Sequence, residues 1–194
     1  LILVDGGVDS IMRGDEAGPG TLIEDAISLA AADALDLPVK ILACVGFGTE
    51  VEENVCHHHA LENIAALAKA GGFWGSCALV PQMEPFRQFE SACRYIWEQK
   101  HNPPSHITAR VIPAVNGEFG NHHMYPDDSE SRRPHIFVSP LMSLYWFFDV
   151  RTVIAHSLII DLLRDTHDVR EAFARYFFWV RERLNIRPRR DIPY

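Results

Sequence analysis

LILVDGGVDSIMRGDE, residues 1–16, sets the expectation for the architecture of the chain. Four apolar residues run directly into Asp5, Gly6 and Gly7, and then Asp9, Ser10, Arg13, Asp15 and Glu16 follow with little apolar between them. A short apolar run bounded by glycine reads as a buried strand, and the polar segment after it reads as a loop at the strand's carboxyl end. In α/β proteins such loops are where ligands sit. Gly6 and Gly7 allow the backbone to approach a ligand closely. Asp5 and Asp9 either satisfy the turn backbone, as Asx residues do, or join Asp15 as acid/base groups or Mg²⁺ ligands. Ser10 adds a hydroxyl, and Arg13 is a clamp for a carboxylate or phosphate.

After this loop Gly18-Pro19-Gly20 breaks the backbone, and Thr21 with Glu24 has capping-box spacing. A helix over 22–35 follows that is apolar nearly all round, as a helix buried on more than one side is. VKILACV, residues 39–45, is a second strand that runs into Gly46, Gly48 and Thr49, a second glycine-bearing loop and a ligand-binding candidate. Strand, helix and strand in this order form a βαβ unit, which predicts a parallel pair. Helices are expected over 60–70, 85–100 and, briefly, 105–116, and a third strand over 73–80.

Residues 117–134 read as a long loop, with a mobile lid or a solvated turn at 125–133. Glu118, His122 and His123 within it are acid/base candidates, Glu118 also a metal ligand. A fourth strand over 135–139 brings Ser139 to the pocket, and 141–148 reads as a strongly apolar helix. Asp149 caps a further helix to about residue 163, and a last one from residue 166 or 167 turns Phe173, Tyr176, Phe177 and Val180 to the core. The fold class expected is α/β, Rossmann-like, with a mostly parallel sheet of about four strands and a helical C-terminal part.

Composition narrows the partners. The chain has 194 residues, 47% of them hydrophobic, and suits one globular domain. A net charge of −8 argues against nucleic acid, which needs clustered Lys and Arg; the arginines from Arg181 to Arg190 read as a solvated tail or salt-bridge partners. No apolar run approaches the roughly 20 residues of a membrane span. Cys44, Cys56, Cys77 and Cys93 form no CxxC pair, and Cys44 and Cys77 lie in apolar runs as small hydrophobes do; a reducing, cytoplasmic setting is expected. His57, His58 and His59 invite a metal reading, but adjacent histidines point in different directions, and exposed or capping roles compete with it.

Two resemblances follow from these motifs. GGVDS, residues 6–10, resembles the phosphate loop SGGxDS of the ATP pyrophosphatase family, but Asp5 replaces the leading serine and would repel a phosphate. VDGGVDSIMRGDE, LACVGFGTE, HALENIA, GEFGNHH and SPLMSLYWFFD together resemble the proteins grouped as domain of unknown function 1152, through nearly the whole chain. That resemblance implies a Rossmann-like α/β protein with a further N-terminal portion, so the chain reads as the C-terminal part of a longer one. It implies no catalytic residues.

The functional expectation is an enzyme of the hydrolase, lyase or transferase type. It would act on a small phosphate- or carboxylate-bearing metabolite, with Mg²⁺ as the candidate cofactor. The alternatives are a non-catalytic ligand-binding or sensor domain, and a structural subunit whose apolar helices over 22–35 and 141–148 pack on a partner or on the missing N-terminal portion; a homo-oligomer is a further expectation.

Overall fold

In the computed structural model, residues 1–99, 105–123, 135–183 and 185–193 are described; the lid or turn expected at 125–133 lies outside them. The opening stretch forms strand β1 (Ile2–Gly6), and helix α1 (Leu22–Asp33) leads to β2 (Ile41–Val45), parallel to β1 with Asp5 opposite Cys44. Helix α2 (His57–Lys69) then precedes β3 (Phe73–Ala78). The βαβ expectation therefore holds at the amino end of the chain.

The rest of the sheet corrects the expectation of mostly parallel pairing. Helix α3 (Glu84–Trp97), helix α4 (Thr108–Val115) and strands β4 (Gly120–His123) and β5 (His135–Val138) intervene before β6 (Leu144–Asp149). The order is β1-β2-β6-β3, and β6 lies antiparallel to both β2 and β3. β1, β2 and β3 point the same way, but β6 separates β3 from β2. The helix expected over 141–148 is a 3-10 turn, Pro140–Ser143, followed by this strand. A continuous apolar run fits a central strand as well as a buried helix, because such a strand is covered on both faces. Trp146 and Phe148 face one side, with the Phe148 ring 5.3 Å from that of Phe73, while Tyr145 and Phe147 stack 5.9 Å apart on the other.

β5 is a strand, as expected, but it pairs with β4 in a separate two-stranded sheet. β4 lies inside the expected loop; its sequence GNHH has no β-branched or aromatic residue to signal a strand.

The principal core lies between the sheet face carrying Leu42, Cys44 and Phe148 and the helices α1, α2, α5 (Val150–His156), α6 (Ile160–Leu163) and α7 (Val169–Arg183). Asp149 caps α5 by accepting from the Thr152 amide at 2.9 Å, as read. The single helix expected onward to residue 163 is broken at Ser157 and Leu158, where the Leu158 amide donates to the Arg13 carbonyl at 2.8 Å. A smaller cluster, Val45, Phe86, Cys93, Val111, Ile112 and Val115, covers the opposite face near the end of β2.

Some expected burials fail. α1 buries one face and leaves Ile27 and Ala31 exposed. On α7, Tyr176 is buried but Phe173 and Phe177 are exposed. Cys77 is exposed because β3 is an edge strand. After α7 the chain runs extended and returns to the opening loop, where Arg187 bridges to Glu16.

Candidate functional site

The site forms where β1 and β2 end. After β1, Gly7 adopts φ +142°, and a Cβ there would fall inside the Glu50 carboxyl group. The absent side chain is what lets Glu50 reach across, where its Oε2 accepts from the Val8 amide at 2.5 Å. Glu50 arrives through the turn after β2: Gly46 sits at φ +90°, and the buried Thr49 hydroxyl donates to the Gly46 carbonyl at 2.7 Å. Gly46 and Thr49, read as ligand contacts, thus shape the turn that delivers Glu50.

The chain then makes a buried 3-10 turn, Asp9–Ile11. Asp9 Oδ2 accepts from the Thr21 amide at 2.6 Å and from the Thr21 hydroxyl at 2.8 Å. Thr21 therefore anchors Asp9 and makes no side-chain cap on α1, which corrects the capping-box reading. Ser10 donates to Asp5 Oδ2 at 2.6 Å and lies 3.2 Å from Cys44 Sγ. Asp25, in the first turn of α1, completes the group, and its Oδ2 is buried without a hydrogen-bond partner. Carboxylate oxygens of Asp5, Asp9 and Asp25 lie within 4.8 Å of one another, as do those of Asp9, Glu50 and Glu53. Beside them is a cavity of about 130 Å³ lined by Leu3, Asp5, Ser10, Asp25 and Leu29 among others.

Among the described residues, no ion pair with Lys, Arg or His reaches Asp5, Asp9, Asp25 or Glu50. Packed without counter-charge, carboxyl groups hold their protons. Burial, and then the charge of Asp9, push Asp5 up to about 6 and Asp25 up to about 9. Burial, together with a hydrogen bond to Asp9, pushes Glu50 up to about 11. Glu53 is raised by burial and by Asp9, and burial beside Asp5 raises the Cys44 thiol well above its ordinary value. Such a cluster is neutralised by protons or by a bound cation. Carboxylate oxygens are the donors that Mg²⁺ and Ca²⁺ prefer, and the bare Oδ2 of Asp25 is a free donor among them.

The other residues singled out in the sequence lie elsewhere. Gly6 serves packing, since a Cβ there would press on Ile107 at 3.1 Å. Gly48 sits beside Met142 and His57. Arg13 and Asp15 belong to an ion network around Arg187, whose Nη2 lies 2.9 Å from Asp15 Oδ1 and 2.8 Å from Glu16 Oε1; Arg13 Nη1 is 3.7 Å from Asp15 Oδ2. The fully buried Glu16 side chain also accepts from the Arg13 and Gly14 amides and from Asn63. Glu118, His122 and His123 line a different cavity, of about 360 Å³, with Arg94, Trp97 and Asn116. His122 Nε2 is 3.9 Å from Glu118. Among the described residues, the groups able to hold a metal around Asp5 and Asp9 draw on Asp25, Glu50 and Glu53 and not on Glu118. Ser139 accepts from the Leu141 amide at 3.2 Å and caps the 3-10 turn before β6.

Asp25, Glu50 and Glu53 are the members that sequence reading missed. Glu50 directly follows the quoted GFGT loop, and Asp25 stands three residues after the buried Leu22, on the inward side of α1; both signals were present. No curated protein and no solved structure matches this chain. The family described as a protein of unknown function, DUF1152, matches over residues 1–177, and the chain belongs to that family.

Proposed function

We propose that the chain binds a divalent cation of the Mg²⁺ class in the carboxylate cleft and uses it as an enzyme, of the hydrolase, lyase or transferase type, on a small phosphate- or carboxylate-bearing metabolite. The observation that carries this reading is the unpartnered, buried Asp25 Oδ2 beside Asp5 and Asp9. Asp5, Asp9 and Asp25 would hold the ion, with Glu50 next to Asp9. Mg²⁺ keeps several waters when it is held by few carboxylates, and an anionic substrate could replace one of them. The cation would also neutralise the acidic wall that otherwise repels such a substrate. The cleft lies at the carboxyl ends of the parallel pair, which supports a Rossmann-like reading of the β1–α1–β2 half. The four free cysteines support a reducing, cytoplasmic setting.

The test is calorimetric titration of metal-free protein with MgCl₂ and MnCl₂, beside the Asp9→Asn variant. Saturable binding that the variant loses, followed by Mg²⁺-dependent turnover in a panel of phosphate esters and carboxylates, is the expected result. Equal binding by both proteins, or none at millimolar metal, would overturn it. The small volume of the adjoining cavity, about 130 Å³, favours one second reading, a non-catalytic cation-binding or sensor domain. Metal binding without turnover of any panel member would select that one.

A further inference from the structure

A second cluster of metal-binding side chains lies outside the carboxylate cleft, in the first two turns of α2. Ring nitrogens of His58 and His59 and a carboxylate oxygen of Glu62 lie within 4.8 Å of one another. We propose that His58, His59 and Glu62 form a binding site for a transition-metal ion of the Zn²⁺ class, with water in its fourth position.

Three observations support this. First, the donors suit the ion: two imidazoles and a carboxylate are the ligands of three-coordinate protein sites that keep an open position. Second, His58 Nδ1 is buried and has no hydrogen-bond partner, which is costly for a polar atom unless something binds it. Third, His59 is 2% exposed, and its Nε2 is 2.9 Å from the Pro188 carbonyl. A carbonyl only accepts, so Nε2 carries the proton. In the neutral ring the Nδ1 lone pair then faces Glu62 Oε2 at 2.7 Å. Nδ1 and Glu62 Oε2 thus face the same point, and a backbone carbonyl fixing the far nitrogen is how ligating histidines are oriented. Arg187 Nη1 now holds a positive charge at that point, 2.8 Å from Glu62 Oε2 and 3.5 Å from His59 Nδ1, and a metal ion must displace it.

The spacing is close to what the ion needs. Tetrahedral bonds of about 2.0–2.1 Å place neighbouring ligand atoms about 3.3 Å apart. The Glu62 oxygen is 3.8 Å from His58 Nδ1 and 2.7 Å from His59 Nδ1, distances that bracket this value. The Glu62 side chain is 42% exposed and free to adjust. Nη1 of Arg187 would give way while Nη2 kept Asp15 and Glu16, so the C-terminal tail would stay docked.

The site is tested by stripping the full chain with EDTA, titrating ZnSO₄ against a chromogenic chelator, and recording the visible spectrum with Co²⁺. With millimolar MgCl₂ present to fill the carboxylate cleft, one equivalent of Zn²⁺ and the visible bands of four-coordinate Co²⁺ are expected. His58→Gln and Glu62→Gln should each weaken Zn²⁺ by more than the roughly 10–100-fold that loss of an outer-shell partner costs. Asp9→Asn should leave Zn²⁺ binding unchanged, and millimolar MgCl₂ should not displace the ion; both separate this site from the carboxylate cleft. Zn²⁺ affinity unaltered in both variants, or none measurable in the wild type, would overturn the assignment. If His58→Gln fails to fold, Glu62→Gln decides alone, since its side chain is partly solvated.

Discussion

Replacing Glu50 by Gln should stabilise the metal-free protein at neutral pH and reduce the dependence of its stability on pH. The Glu50 carboxyl is buried against Asp9, and burial with that hydrogen bond raises it from its ordinary 4.5 to about 11. A carboxyl raised on folding supports the native state while both states keep the proton, below about 4.5. That support is lost as the pH rises towards about 11, because the unfolded chain releases the proton and the folded one retains it. Within this window each pH unit costs about 1.4 kcal/mol per group. From pH 6 to pH 8 Glu50 alone therefore costs about 2.8 kcal/mol. A glutamine in its place keeps an oxygen for the Val8 amide and gains an N–H for Asp9, without a proton to lose. Urea unfolding in EDTA at pH 6, 7 and 8 measures this. The stability advantage of Glu50→Gln over wild type should widen by about 2.8 kcal/mol across that range. Millimolar Mg²⁺ should reverse the order, since the ionised carboxylates then have a cation. An advantage that stays constant from pH 6 to pH 8 would show that Glu50 holds no proton in that range.

Two further substitutions test the frame around the cleft. Gly20 sits at φ +70°, and a Cβ there would lie 2.5 Å from Asp9 Oδ2, so Gly20→Ala should weaken cation binding as well as stability. Gly71, at φ +79° with nothing within 4 Å, is the control: Gly71→Ala should cost only about 1–2 kcal/mol and leave binding intact, as calorimetry would read. Phe148 is fully buried between the rings of β3 and the helices, and Phe148→Ala should lower stability by about 3–5 kcal/mol in denaturant unfolding.

The amino half was legible because its signals are local. The apolar run of β1, the glycines after it and the apolar stripe of α1 each specify their own element. β6 was not legible in this way. The run LYWFFD has no polar alternation, because the strand lies inside the sheet between β2 and β3, and that position depends on residues 66 to 108 places away in sequence. Its insertion is also why the pairing is mixed. At the site, Asp5, Asp9 and Ser10 could be read from their place after a strand. Asp25 had a signal in its spacing from Leu22, but beside Glu24 it equally resembles the first-turn acids that favour the helix dipole. Glu118 and His122 border a separate cavity beside β4, and histidine-rich composition says nothing about which cleft a loop joins.

The opening loop divides at Met12, and the division explains why a tail beyond the family-matched residues matters. Residues 5–10 turn to the carboxylate cleft, whereas residues 13–16 turn to Arg187. Arg187 answers Asp15, Glu16 and Glu62 together, and its own backbone pairs with the loop, with the Ala17 amide donating to the Arg187 carbonyl at 2.9 Å. Beside it the Arg189 guanidinium donates to the Asn54 carbonyl, at the end of the segment that carries Glu50 and Glu53. The tail therefore holds both loops that build the cleft. Arg187→Gln removes the cation while Glu16 stays fully buried. Breaking one side of a buried pair costs about 3–5 kcal/mol, and with Arg187 itself 28% exposed the lower end applies. A loss of about 3 kcal/mol in urea unfolding is expected, with cation affinity in the cleft falling as the loops loosen. A variant within 1 kcal/mol of wild type would mean that solvent already screens Arg187 from Glu16, and the tail would then be a surface attachment with no part in holding the site.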